Sequence, residues 1–167
     1  MGERLTKGDV EKIKAEIEDR KINVRPKALE DLKAARAQGD LSENFEYYAA
    51  KRFNNQNNSR IRYLENVLKY ATIIDDSSAS DRVGINNTVA VHFMERNMDR
   101  TVRLVTSIRV NSRRNIMSIE SPFGKAIMNK RVGDIVKVQG NDGTSYHVRI
   151  DKIENTPDDD SLSISRY

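Results

Sequence analysis

The chain has 167 residues, with 29 lysines and arginines against 25 aspartates and glutamates, no cysteine and two histidines. The missing cysteine excludes disulfide scaffolding, a cysteine nucleophile and every cysteine-based zinc site, and it suits a reducing cytoplasm. A net charge of +4 makes the surface mildly basic, short of the field of a dedicated nucleic-acid binder, and the length suits one or two small domains rather than a large enzyme.

From Lys7 to Gln38 the sequence predicts one long helix, with an apolar seam through Val10, Ile13, Ile17, Val24, Ala28, Leu32 and Ala35 at steps of three, four or seven. Pro26 removes a backbone donor and crowds the turn before it, so a kink is expected near Asn23 to Arg25. Gly39 reads as the end of this helix, and Asp40 or Ser42, followed by acidic residues, as the start of the next. Residues 39–52, Gly-Asp-Leu-Ser-Glu-Asn-Phe-Glu-Tyr-Tyr-Ala-Ala-Lys-Arg, are therefore the turn of a helical hairpin, and Asp40, Glu43 and Glu46 precede any basic residue in it. Two readings of the acids stand at this point. Asp40 with Glu43 fits a capping box, whose acids also suit the helix dipole, or the carboxylates form a charged probe that reaches something outside the chain. Spacing by itself favours the first.

The returning helix is expected from about Glu43 to Ala71, with Ala50, Phe53, Asn57, Ile61, Leu64, Leu68 and Ala71 as its seam. An arm of about 28 residues would be about 40 Å long. Residues 54–58, Asn-Asn-Gln-Asn-Asn, are weak helix formers, yet the helix should run through them, with Asn57 as a polar seam residue that sets register. Between Tyr47 and Tyr70 the basic residues Lys51, Arg52, Arg60, Arg62 and Lys69 face only Glu65, a positive stripe behind the acidic turn.

Small polar residues from Asp75 to Asp81 mark a linker, after which the period changes to two. Val89, Val91 and Phe93 alternate with Ala90 and His92, Val102 and Leu104 with arginines, and Ile135 to Val138 precede the hairpin signal Asn141-Asp142-Gly143 and the strand Tyr146 to Ile150. Ser121-Pro122 opens a short helix as N-cap and first-turn residue. His92 and His147 sit in strand patterns as ordinary strand residues, and no phosphate-binding glycine loop or nucleophile elbow is present. The expected class is α+β, an N-terminal antiparallel coiled-coil hairpin followed by a small antiparallel-sheet domain with one short helix. The expected boundaries are a hairpin over 1–76, a linker over 77–83, a sheet domain over 84–155 and a flexible tail over 156–167.

An acid-tipped hairpin joined to a small sheet domain resembles the bacterial Gre family of transcript-cleavage factors. Gly39-Asp40-Leu41-Ser42-Glu43-Asn44 with Glu46-Tyr47 and Ala49-Ala50-Lys51 is similar to the family's tip signature. Ser121-Pro122-Phe123-Gly124-Lys125-Ala126 with Lys130-Arg131-Val132-Gly133-Asp134 is similar to its C-terminal motif. Phe45 stands where the family has a small residue, Tyr48 where histidine is common, and the asparagine-rich run is a further departure.

The resemblance implies a hairpin that enters the secondary channel of RNA polymerase, while a sheet domain of FKBP-like, prolyl-isomerase-like fold holds the channel's rim. Its function would be to stimulate the polymerase's own cleavage of backtracked nascent RNA, with no enzymatic activity and no cofactor of its own. Asp40 and Glu43 would hold the second Mg²⁺ of the polymerase active site and orient the attacking water, with Glu46 in weaker support, since Mg²⁺ takes a few carboxylate oxygens and keeps several waters. Lys51 and Arg52 would meet the phosphates of the nascent RNA 3′ end, and Ser121, Pro122, Phe123, Gly124 and Lys125 would bind polymerase. Isomerase activity is not expected, because fold is not function and this half has few aromatics. A non-cleaving channel-binding regulator is the alternative, and a plain coiled-coil adaptor explains neither motif. No apolar run reaches the ~20 residues that a membrane span needs and no signal-peptide core opens the chain, so a cytoplasmic monomer without membrane partners is expected.

Overall fold

A computed structural model describes residues 2–40, 43–77, 79–158 and 161–165. The chain forms two compact units, Met1–Gly2 with Val10–Ala71, and Glu3–Asp9 with Thr72–Tyr167.

The first unit is helical: α1 (Lys7–Asp19, in this unit from Val10 on), α2 (Arg25–Arg36) and α3 (Phe45–Tyr70). Ile13, Ala28 and Ala35 of the expected seam are buried, and Val10, Ile17, Val24 and Leu32 are half-buried. The interruption begins earlier than the expected kink: Arg20–Val24 is a π-helical turn, in which the Arg25 N–H reaches back to the Arg20 carbonyl. Proline supplies the reason, since Pro26 cannot donate to the Ile22 carbonyl and its ring would strike it, so one wider turn absorbs the conflict.

The asparagine run is helical, and its side chains tie the hairpin together at that wide turn. Asn57 is buried; its Nδ2 donates to the Arg20 carbonyl at 3.2 Å and its Oδ1 accepts from Arg20 Nη1 at 3.0 Å. Arg25 Nε donates to Asn58 Oδ1 at 3.1 Å. Glu16 accepts from Arg20 Nε at 2.8 Å and from Arg60 Nε at 3.0 Å. Burial pushes the Glu16 pKa up, but Arg60 and Arg20 together outweigh it and leave the carboxyl below its ordinary value. The α3 seam departs from expectation at Phe53, which is 52% exposed, while Tyr47 and Val67 are buried. Steps of four and three toward the N-terminus from Ile61 and Asn57 reach Asn54, Ala50 and Tyr47, and that places Phe53 one position off the packed face.

In the second unit, β1 (Arg4–Leu5) pairs in parallel with β2 (Thr72–Ile73), which brings residues 3–9 into this unit. The main sheet uses β3 (Thr88–Phe93), β4 (Met98–Val105), β5 (Ile116–Ser118), β6 (Ile135–Gln139) and β7 (Ser145–Glu154) in the order β5-β4-β3-β7-β6. Neighbours are antiparallel except β4 and β5, which are parallel, so the sheet is mixed rather than purely antiparallel. Three residues are too few for β5 to show an alternation in the sequence. Val89, Val91, Val102, Leu104, Val148 and Ile150 from the sheet share one core with Phe123 and Ile127 of α4 (Pro122–Ile127). The expected turn closes the β6–β7 hairpin, with Gly143 at φ +83° and Asp142 Oδ1 accepting from Thr144 Oγ1 at 2.6 Å.

The stretch expected to fray is docked over its described residues. Leu162 is buried with Val105 and Ile116, and Ser165 N donates to the Ile108 carbonyl at 2.7 Å. Arg109, itself 2% exposed, pairs with buried Asp9 through Nε and with Asp158 through Nη1 and Nη2. Asp9 Oδ2 also accepts from Thr6 N at 2.9 Å and Thr106 Oγ1 at 2.7 Å. Over these described residues an apolar side chain, Leu162, and a carboxylate, Asp158, each have a buried partner far away in sequence.

Candidate functional site

The α2–α3 turn is built from its ends. After α2 the chain leaves the helix through Ala37 and Gln38, whose N–H groups reach the Lys33 and Ala35 carbonyls at 3.2 and 3.3 Å. Gly39 then takes φ +113°, a conformation costly for a residue with a Cβ. Leu41 and the candidate cap Ser42 lie outside the described residues.

The N-cap of α3 is Asn44, and neither Asp40 nor a capping box with Glu43 starts the helix. Asn44 Oδ1 accepts from Tyr47 N at 3.0 Å while its Nδ2 donates to the Ala35 carbonyl at 2.7 Å. Asparagine caps as well as aspartate, and only its amide can also give a hydrogen bond to the end of α2. This side chain closes the turn, and the sequence carried its signal in the preference of asparagine for N-caps. Asp40 and Glu43 precede the helix and are exposed, and Glu46 is exposed in the first turn.

Tyr47 fastens the first turn of α3. It is 8% exposed, with the Arg36 guanidinium 5.6 Å and Lys51 Nζ 6.0 Å from its ring centroid. A hydrogen bond from Arg36 holds the Tyr47 hydroxyl below the usual tyrosine pKa. Lys51 thus has a packing contact although it is exposed, and Arg52 is exposed beside it. The turn so brings three candidate acids and two candidate cations to one end of a helix that is 26 residues, or about 39 Å, long.

The second candidate set divides by depth. Ser121 caps α4, accepting from Gly124 N at 3.0 Å. Phe123 is 3% exposed and stacks on Phe93 at 6.1 Å between centroids. A Cβ on Gly124 would fall 2.2 Å from the Ser118 carbonyl oxygen. Both residues are placed to hold the core, and Lys125, with half-buried Ser121 and Pro122, is what faces outward. Phe123→Ala is expected to cost about 3–5 kcal/mol, read as a lowered denaturant midpoint for the sheet unit; an unchanged midpoint would contradict the packing role.

Among the described residues no cluster of three His, Asp or Glu side chains is arranged to hold a metal ion, and no helix is long and apolar enough to cross a membrane.

A family model described as "Transcription elongation factor, N-terminal" matches residues 3–73, and one described as "Transcription elongation factor, GreA/GreB, C-term" matches residues 78–155. The chain is 43% identical over 136 residues to transcription elongation factor GreA of Chloroherpeton thalassium, covering 81% of this chain and 86% of the relative. It is 38% identical over 149 residues to GreA of Acholeplasma laidlawii, covering 89% and 94%. Among solved structures, GreA factor homolog 1 of Thermus thermophilus matches at 24% identity and a TM-score of 0.43, over 92% of this chain and 99% of that one.

Proposed function

The chain belongs to the GreA/GreB family of transcription elongation factors, and from that premise we propose that it stimulates the cleavage of backtracked nascent RNA by RNA polymerase. The hairpin enters the polymerase's secondary channel and the sheet unit holds its rim. The single observation that supports this most is the pair Asp40 and Glu43, exposed before the first turn of α3 while Asn44 does the capping. With the cap assigned to Asn44, helix capping is not the reason for either acid.

The donor set suits a shared ion and not a resident one. Two exposed carboxylates are too few for a cage of about six oxygen ligands. They suit Mg²⁺, which binds through one or two carboxylates and keeps its waters. When bound in the polymerase active site, such an ion would supply Lewis-acid stabilisation of phosphate charge and make a bound water more acidic. Asp40 and Glu43 lend oxygens to that site, orient the attacking water and accept its proton, with Glu46 in support. The chain has no nuclease activity alone in this scheme.

Lys51 and Arg52 guide the extruded RNA through its phosphates, and Ser121, Pro122 and Lys125 meet the rim. Neutralising Lys51 and Arg52 should reduce cleavage most for long backtracked segments. It should also flatten the dependence of log affinity on log salt by about 0.7 for each phosphate that the cations no longer neutralise. Equal loss at all RNA lengths with an unchanged slope would point to a damaged hairpin. The primary test is a stalled elongation complex incubated with the full chain and resolved by RNA length. Shortened RNA supports the reading, and occupancy of the channel without shortened RNA would make this a non-cleaving regulator.

A further inference from the structure

Two aromatic rings that follow the acids in sequence stand exposed on α3. Phe45 is 84% exposed and Tyr48 is 48% exposed, in a helix whose neighbouring Tyr47 is buried. Residues 45, 48 and 52 lie three and four apart, so Phe45, Tyr48 and Arg52 share one face of α3. Tyr48 is held in place: its ring meets Tyr47 edge-on at 5.5 Å and 63°, and Tyr47 is gripped by Arg36 and Lys51. A ring already ordered in the free protein loses little further freedom when something stacks on it. Exposed flat rings followed by cations are the composition of a single-strand nucleic-acid platform, in which bases stack on the rings and phosphates meet the cations.

We infer that Phe45 and Tyr48 form a stacking platform for an unpaired base at the extruded 3′ end of RNA, with Arg52 on the adjoining phosphate. The inference rests on the cleavage-factor reading above and adds to it a base contact that is independent of the acids. Charge decides the occupant. A wholly apolar protein surface would match the rings but not Arg52 and Lys51, whereas a nucleotide matches both. Because every base has a π face, the platform accepts all four, and it positions the RNA end beside Asp40 and Glu43.

The test uses a stalled, backtracked elongation complex whose RNA carries 2-aminopurine at its extruded 3′ end, since the fluorescence of this base is quenched by stacking. Binding is read with the full chain carrying Asp40→Asn and Glu43→Gln, so that the probe is not cut off. Quenching is expected on addition of this protein. Adding Phe45→Ala and Tyr48→Ala should abolish the quenching and weaken binding to the backtracked complex about tenfold or more, and Tyr48→Phe, which keeps the ring, should retain the quenching. Helicity by circular dichroism should not change, both positions being exposed.

Quenching that survives the double alanine change overturns the platform. So does an equal loss of binding to backtracked and non-backtracked complexes, which would mean that the rings touch polymerase instead. Failure of the parent reading appears separately, as wild-type protein that leaves the RNA at full length even where quenching is seen.

Discussion

Chains carrying Asp40→Asn and Glu43→Gln are expected to bind RNA polymerase as the parent does and to lose at least about 100-fold in stimulated RNA cleavage. A neutral amide oxygen is a poorer Mg²⁺ ligand than a carboxylate and cannot take a proton from the attacking water, and a positioned base of that kind contributes about 10²–10⁴-fold. Raising Mg²⁺ should restore part of the activity, because a weakened site refills by mass action. The position of Asn44 sharpens the comparison. Its side chain caps α3, so neither substitution touches the cap and the thermal midpoint should stay where it is. Had the acids been a capping box, the changes would cost about 1 kcal/mol of stability while cleavage followed the folded fraction. Cleavage lost at an unchanged midpoint and unchanged affinity is the catalytic signature; cleavage retained would remove Asp40 and Glu43 from the chemistry.

The second large effect lies in the sheet unit. Arg109→Met should destabilise it by about 3–5 kcal/mol, because the Asp9 carboxylate, with a side chain 2% exposed, would lose its counter-charge in the interior. Thr6 and Thr106 would still donate to Asp9, but neutral donors do not balance a buried charge. Adding Asp9→Asn to that variant removes the unpaired charge and keeps an acceptor for the Thr6 N–H. The double change should therefore recover much of the loss, a coupling of the kind seen between residues in direct contact. Both forms can be followed by denaturant unfolding of the full chain. If the two substitutions simply add, the ion pair does not matter to the unit.

The hairpin and the candidate residues at its turn are legible because their signals are local. Helix periodicity, the preference of Ser121-Pro122 for a helix start, the Asn141-Asp142-Gly143 turn and the alternation through Val89 and Val91 all act over two to four residues. The cap is ambiguous for a local reason too: Asp40, Ser42 and Asn44 all have side chains that can cap, and the choice depends on the Ala35 carbonyl, nine residues back across the turn. Phe53 differs from its expected place because steps of three and of four back from Asn57 are equally good helix spacings until a packed face selects one.

The sequence by itself determined the two helical arms, the acids between them, most strands, and through its two motifs the family. Tertiary structure alone decided that Phe123 and Gly124 face inward, that β5 runs parallel to β4, that residues 3–9 belong with the sheet, and that Arg109 gathers Asp9 and Asp158 from 100 and 49 residues away. The physical reason is range. A periodic pattern records which side of an element meets a core, whereas a buried charge or a two-residue strand finds its partner only when distant chain segments arrive together, and nothing in its immediate neighbours marks the meeting.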